Sequence, residues 1–223
     1  LPAVVMAADA VKDGAPLVHD EAENNVSFTL RLGNGDETDA AIKGAHHVTR
    51  IKLHNNRLDA MTMEPRGCLG EFDTSTGRLT FYTSTQNVHG IRQGLAAQNL
   101  NVPESMIRVV AKDVGGGFGM KGHVYPEEAV VAWACKRVER PVKWIATRSE
   151  AMMGDDHGRD QTVEVELALD ENGKFTALRW HALHNVGAYI EGAGAIPVLF
   201  AVKLAPTVYN IPNVDVINKA VFS

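Results

Sequence analysis

DVGGGFGMKGH, residues Asp113–His123, places five glycines within eight positions, with Phe118, Met120 and Lys121 set among them. Glycine loses more backbone entropy on ordering than any other residue, so such a run serves either a tight corner or a path with positive φ against a ligand. The flanks narrow the choice. Met106–Val110 (MIRVV) is apolar and partly β-branched and predicts a buried strand entering the loop. Pro126–Val138 predicts a helix leaving it: Pro126 suits the first helical position, Glu127 and Glu128 the positive end of the dipole, Lys136 and Arg137 the negative end. Strand, glycine loop and helix in that order bring backbone N–H groups beside a helix N-terminus, an arrangement that holds anionic oxygen groups, and Lys121 adds a point charge.

Two nucleotide patterns compete for this loop. Gly117, Gly119 and Gly122 satisfy G-x-G-x-x-G, with Glu139 near the ribose-binding distance, but Lys112 and Asp113 separate the strand from the glycines. A nicotinamide-dependent dehydrogenase therefore stays as one alternative. The P-loop pattern is absent from the sequence.

The 223 residues are 45% hydrophobic and 22% charged, enough for one large domain or two small ones. A net charge of −5 and a pI near 6.0 argue against nucleic acid as the main partner. Cys68 and Cys135 stand far apart without a C-x-x-C, so neither a zinc site nor an iron–sulfur cluster is encoded, and both read as small buried hydrophobes. No apolar run of about 18 residues and no signal-peptide pattern is present, and the expectation is a cytoplasmic protein without a transmembrane segment. The chain opens on Leu1 and closes on Ser223 within an expected strand, which reads as a fragment.

Residues 1–24 read as a linker-like entry, 25–160 as a core holding the glycine loop, and 161–223 as a hairpin with a second glycine-rich region. Strands are expected at 25–32, 48–53, 78–83, 106–110, 141–146 and 214–221, a turn at 33–37 and a short helix at 39–43. A helix at 88–99 puts Ile91, Leu95 and Ala96 on one face. Residues 147–160 read as polar and irregular. Gln161–Leu169 alternates, Asp170–Gly173 turns it and 174–184 runs back, and Gly187 and Gly192–Gly194 mark the second glycine-rich region. The fold class is α+β, with mixed sheets, antiparallel hairpins and a β-α-β-α-β stretch from Arg78 to Ala146.

With these pieces placed, the chain resembles the molybdopterin-binding large subunit of the molybdenum hydroxylases, the family of xanthine dehydrogenase, aldehyde oxidase and aerobic carbon monoxide dehydrogenase. The resemblance rests on MEPRG (Met63–Gly67), YTSTQNVHGIR (Tyr82–Arg92), DVGGGFGMK (Asp113–Lys121), YPEEAVVAWA (Tyr125–Ala134), RPVKWIATRSE (Arg140–Glu150), HGRD (His157–Asp160) and NVGAY (Asn185–Tyr189), in the family's order. It implies that Gln86 lies near the metal's oxo ligand, and that Gly115, Gly116, Gly117, Phe118 and Gly119 line the pterin and metal with the aromatic near substrate. From the residues alone, a cap of the next helix is the alternative reading of Gln86, and a core anchor of the loop the simpler alternative for Phe118.

The same resemblance implies a molybdenum–molybdopterin cofactor in its cytosine dinucleotide form, no direct metal ligand in this chain, and iron–sulfur and FAD partners. The rest of the subunit and a dimer of heterotrimers are implied as well. The family's general-base glutamate, its arginine motif and the copper-binding cysteine loop of the carbon monoxide enzymes correspond to sequence beyond Ser223. Gly122 occupies the place of a substrate-binding glutamate in the xanthine enzymes, and Met120 stands where the carbon monoxide enzymes tend to carry asparagine. Glu64 and Arg66 read as a structural pair or a cofactor contact, His46, His47 and His123 as surface or hydrogen-bonding groups, and Asp155, Asp156, His157, Arg159 and Asp160 as a solvated polar loop. The expected function is part of a molybdenum hydroxylase that oxidises a small molecule with water-derived oxygen. A carbon monoxide dehydrogenase large subunit and a non-catalytic cofactor-binding scaffold are the alternatives.

Overall fold

The computed structural model describes residues 3–190 and 194–223. The chain forms two compact units, Leu1–Leu58 with Gly158–Ser223, and Asp59–His157. Strands Val26–Gly33 and His47–Asn55 pair into one sheet with Gln161–Leu169, Phe175–Gly187 and Asn213–Phe222, so the two ends of the chain fold into one unit.

The first unit is built on a five-stranded sheet in the order Val26–Gly33, Asn213–Phe222, Phe175–Gly187, Gln161–Leu169, His47–Asn55. Its neighbours are antiparallel except for the parallel pair Phe175–Gly187 and Asn213–Phe222. The hairpin expected at Asp170–Gly173 forms: the Asp170 carboxylate accepts the N–H groups of Asn172 and Lys174, and Gly173 takes φ +79°. The linker-like entry segment instead folds a short helix, Ala7–Ala10, whose buried Ala7 and Ala10 pack with Val221. The helix expected from Asp39 begins earlier, at Gly35, and buries Ile42 against Ala168 and Ala177. Gly192 and Ala193 of the second glycine-rich region lie outside the described residues, while Gly194 precedes a helix, Ile196–Leu204, that the sequence reading missed.

The second unit carries a four-stranded sheet in the order Ile107–Val110, Arg78–Thr83, Gly67–Asp73, Val142–Ile145. Arg78–Thr83 runs parallel to Ile107–Val110, and the other pairs are antiparallel. The β-α-β-α-β succession is present, but its last strand joins the far edge beside Gly67–Asp73. One core holds it together: Leu79 and Phe81 from the sheet, Ile91, Leu95 and Ala96 from the helix Val88–Gly94 and its π-helical extension Leu95–Leu100, and Val131, Ala132 and Cys135 from the helix Pro126–Val138. Phe81 is fully buried, and removing such a ring costs about 3–5 kcal/mol. Gly70 lets the last helix close on the sheet, since a Cβ there would stand 2.6 Å from Cys135 Sγ. Residues 147–160 are not irregular throughout: Thr147 caps a helix, Arg148–Gly154, by accepting the Glu150 N–H while the Glu150 carboxylate accepts the Thr147 N–H. The α+β class with mixed sheets holds.

Candidate functional site

Ile107–Val110 delivers the chain to the glycine loop, and Arg78–Thr83 runs parallel beside it, so Ser84-Thr85-Gln86 leaves the same end of the sheet. In parallel α/β arrangements that end is where ligands collect. Gln86 is brought to the loop from 33 residues away: its Oε1 accepts the Gly119 N–H at 2.8 Å, and its own N–H donates to Lys121 O at 3.1 Å. An N–H donor requires an oxygen, so the amide has one orientation, and Nε2 makes no hydrogen bond among the described residues. Gln86 is not the helix cap. Asn87 is, its Oδ1 accepting the Gly90 N–H at 3.0 Å.

Four of the five glycines have a reason in the fold. A Cβ on Gly115 would stand 2.5 Å from Glu64 Cβ, and a Cβ on Gly117 would collide with the Gln86 amide. Gly116 and Gly119 take φ +99° and +93°, which L side chains rarely adopt. Phe118 itself takes φ +49° and is 80% exposed, so it anchors no core within this chain. A non-glycine residue held left-handed with its ring in the open is a strained placement of the kind found at ligand sites. The N–H groups of Gly116, Gly117 and Phe118 donate to nothing among the described residues, leaving three successive donors beside the exposed ring. Such runs of backbone donors form anion-binding concavities.

Lys121 departs from its expected part. Its side chain is 1% exposed, and Nζ donates to Glu64 O at 2.7 Å, Ser84 Oγ at 2.6 Å and Glu64 Oε2 at 3.2 Å. All three ammonium protons are used internally, so it offers no point charge to a ligand. Glu64 and Arg66 do not pair with each other. Burial pushes Glu64 up, but hydrogen bonds from Ser84, Gly115 and Lys121 outweigh it and hold the carboxyl below the usual glutamate range.

Arg66 is buried and bonds to Asp155 at 2.5 Å and Glu127 at 2.9 Å, with its guanidinium carbon 3.7 Å from the Tyr125 ring centroid. Burial opposes its charge, and the two carboxylates more than restore it. Asp155 is therefore a buried partner and not part of a solvated loop. His123 stacks on Tyr125 and lies 3.2 Å from Asp156.

The helix Pro126–Val138 is not the anion cradle either. The Tyr125 N–H donates to Glu128 Oε2 at 3.1 Å, Thr83 donates to the same carboxylate, and burial raises the Glu128 pKa. The loop does not run straight into that helix: Gly119 leads to a 3-10 turn, Met120–Gly122, and to extended His123. The dinucleotide fingerprint, which needs its last glycine packed where the helix begins, loses its geometry. Cys68 and Cys135 are buried and free, and desolvation pushes the Cys68 thiol up to about 12. Among the described residues no group of three or more His, Cys, Asp or Glu side chains is placed to hold a metal.

Ser84, Thr85 and the true parts of Lys121 and Glu64 were not singled out by sequence reasoning. The signal for the first two lay in the quoted YTSTQN stretch, since hydroxyl residues at a strand end beside a glycine loop are natural partners for its backbone. Thr85 Oγ1 indeed donates to Lys121 O at 2.8 Å.

The family model described as "Molybdopterin cofactor-binding domain" matches residues 18–223. The nicotine 6-hydroxylase large subunit of Paenarthrobacter nicotinovorans is 36% identical over 205 residues, 91% of this chain and 25% of that protein. The carbon monoxide dehydrogenase large chain of Hydrogenophaga pseudoflava is 30% identical over 238 residues, 100% of this chain and 29% of that protein. Among solved structures, quinoline 2-oxidoreductase from Pseudomonas putida 86 matches with a TM-score of 0.92 at 31% identity, over 100% of this chain and 28% of that one. The chain spans about a quarter of the length of the curated relatives it matches. The sheet, the glycine loop and the family match agree, and the chain belongs to the molybdopterin cofactor-binding domain family.

Proposed function

We propose that this chain is the part of a molybdenum hydroxylase large subunit that receives the metal end of molybdopterin. The enzyme would oxidise a small molecule with oxygen drawn from water and pass electrons to iron–sulfur and flavin partners. The observation that carries the reading is the Gln86 amide, whose Oε1 is committed to the Gly119 N–H and whose exposed Nε2 is left to donate. The fit to the group is supported by the loop itself. Gly117 has no room for a side chain against that amide, and three unused N–H donors follow one another at Gly116–Phe118. When bound, the cofactor supplies a redox metal centre. The chain would supply placement: Gln86 and the loop N–H groups would donate to the group's oxygen atoms, while among the described residues no cluster of His, Cys, Asp or Glu is placed to ligate the metal.

The substrate class that the observations favour is an aromatic nitrogen heterocycle. Nicotine and quinoline, named in two of the relatives above, both carry such a ring, and the exposed Phe118 offers a flat face for it. Carbon monoxide oxidation is the second reading, favoured by the match to the carbon monoxide dehydrogenase large chain. The cytosine dinucleotide form of the cofactor, a dimer of heterotrimers and a cytoplasmic location complete the proposal. Elemental analysis and pterin fluorescence of the purified whole protein test it: molybdenum and pterin in equal amounts are expected, and their absence from folded, freshly purified protein sinks it. Turnover of quinoline-type rings but not of carbon monoxide is the expected outcome between the two substrates, and the reverse selects the second reading.

A further inference from the structure

Between Gly115 and Lys121 the loop leaves and returns to one side chain. Glu64 Oε2 accepts the Gly115 N–H at 2.8 Å, the Ser84 hydroxyl at 2.6 Å and Lys121 Nζ at 3.2 Å. The Glu64 backbone doubles the hold, its N–H donating to Gly115 O at 3.2 Å and its carbonyl accepting from Lys121 Nζ at 2.7 Å. Thr62 donates to that same carbonyl at 2.6 Å, which fixes Glu64 in turn. Segments separated by 57 residues in sequence thus meet on one carboxylate, and the ammonium that completes the contact is almost fully out of water. A buried ammonium with its three protons satisfied is rigid, and removing its partner leaves an uncompensated buried charge. Ser84 gives its proton to Glu64 while accepting one from Lys121, so the trio is a lock and not an activated nucleophile.

We infer that Glu64, Ser84 and Lys121 form a clasp that closes the glycine loop on itself, and that they act as positioning residues for the group the loop receives. This rests on the proposed cofactor site. The clasp fixes both ends of the loop while leaving Gly116, Gly117 and Phe118 with unused donors between them, and it stands apart from Gln86, which pins Gly119 from the other side. The charge on Lys121 therefore serves loop geometry, where its place in a glycine-rich stretch suggests contact with an anion.

The test uses the whole protein carrying this chain, with Lys121→Met, which keeps length and removes the charge, and the gentler Ser84→Ala should the first not fold. Hydrogen exchange, read as peptides, is followed in residues 114–120 and in the helix Pro126–Val138, and molybdenum content is measured on the same samples. The expected result is exchange faster by about tenfold or more in the loop with the helix unchanged, and molybdenum content reduced by about tenfold, as for other residues that orient a metal's surroundings. Equal acceleration in loop and helix means general destabilisation and overturns the inference, as does loop exchange indistinguishable from the parent. If the parent protein itself holds no molybdenum, the proposed function fails, while the exchange comparison still decides whether the clasp closes the loop.

Discussion

The two ends of the glycine loop carry the same residue for different reasons. At the start, Gly115 and Gly117 lie so close to Glu64 and Gln86 that no Cβ fits. At the end, Gly122 has nothing within 4 Å of where a Cβ would stand, and its φ is not in the left-handed region. The start is also held by a carboxylate, through Glu64 and Gly115, whereas Gly119 is held by the neutral amide of Gln86. Glycine at the start is therefore required by close packing against Glu64 and the Gln86 side chain, and at the end it is permitted by open space. One letter in the sequence covers both.

The largest break in this comparison is Gly115→Ala. Its new methyl group would meet Glu64 Cβ at 2.5 Å and Glu64 N at 3.1 Å, and the backbone atom cannot swing away. Overpacking of this kind costs about 3 kcal/mol, so a clear fall in the thermal midpoint of the protein is expected, and an unchanged midpoint would mean that the Glu64 segment is free to retreat. Next comes Gly117→Ala. There the nearest atoms belong to a side-chain amide that can rotate away, leaving Gln86 Cβ at 3.2 Å as the remaining tight contact, so stability falls by only about 1 kcal/mol. Function suffers more, because Gln86 loses its grip on the Gly119 N–H: molybdenum content should drop while the unfolding midpoint moves little. Loss of both in proportion would count against a separate role for Gln86.

The frame of this site was legible in the sequence, and its fastening was not. Pro126–Val138 begins and ends as expected because proline, acids and bases mark its ends locally, and Gln161–Leu169 because its alternation is local too. The helix Arg148–Gly154 escaped notice although Thr147 and Glu150 spell a capping box, since its polar face hid the period. Ile196–Leu204 escaped for the opposite reason: IPVLFAVKL is apolar on every side and shows no face at all. Gln86 and the glycines stand in motifs 33 residues apart, and the fold joins them through the Gly119 N–H donated to Gln86 Oε1. Lys121 was misread because a lysine in a glycine loop suggests an anion. Its actual partners, Glu64 and Ser84, are 57 and 37 residues away, and only the fold brings them together.

Acidification separates the two ends without mutation. The folded pKa of Glu64 lies below the ordinary glutamate value of 4.5, so its ionised form stabilises the folded loop. That contribution is fully present above about pH 4.5 and is lost as pH falls through the lowered folded value. The Gly119 contact has no titrating partner in Gln86. Amide exchange, corrected for its intrinsic pH dependence, should therefore rise at Gly115 as the pH falls below about 4.5, before it rises at Gly119. Simultaneous loosening would show that the carboxylate does not hold the start by itself.

The smallest effect belongs to Gly122→Ala, and it decides whether the end of the loop is as permissive as its surroundings indicate. The Gly122 carbonyl accepts from Asn87 Nδ2 at 3.0 Å, a contact that a methyl group on the same residue leaves in place. With no neighbour within 4 Å and no positive φ, the substitution should change stability by less than about 0.5 kcal/mol. Molybdenum content and the unfolding midpoint are both expected to match the parent. A stability loss comparable to that of Gly117→Ala would mean that the end of the loop is as constrained as its start. A fall in molybdenum content alone would be more instructive: the space beside Gly122 would then be filled when the cofactor or its substrate is bound, and the missing side chain would be a matter of what must fit there.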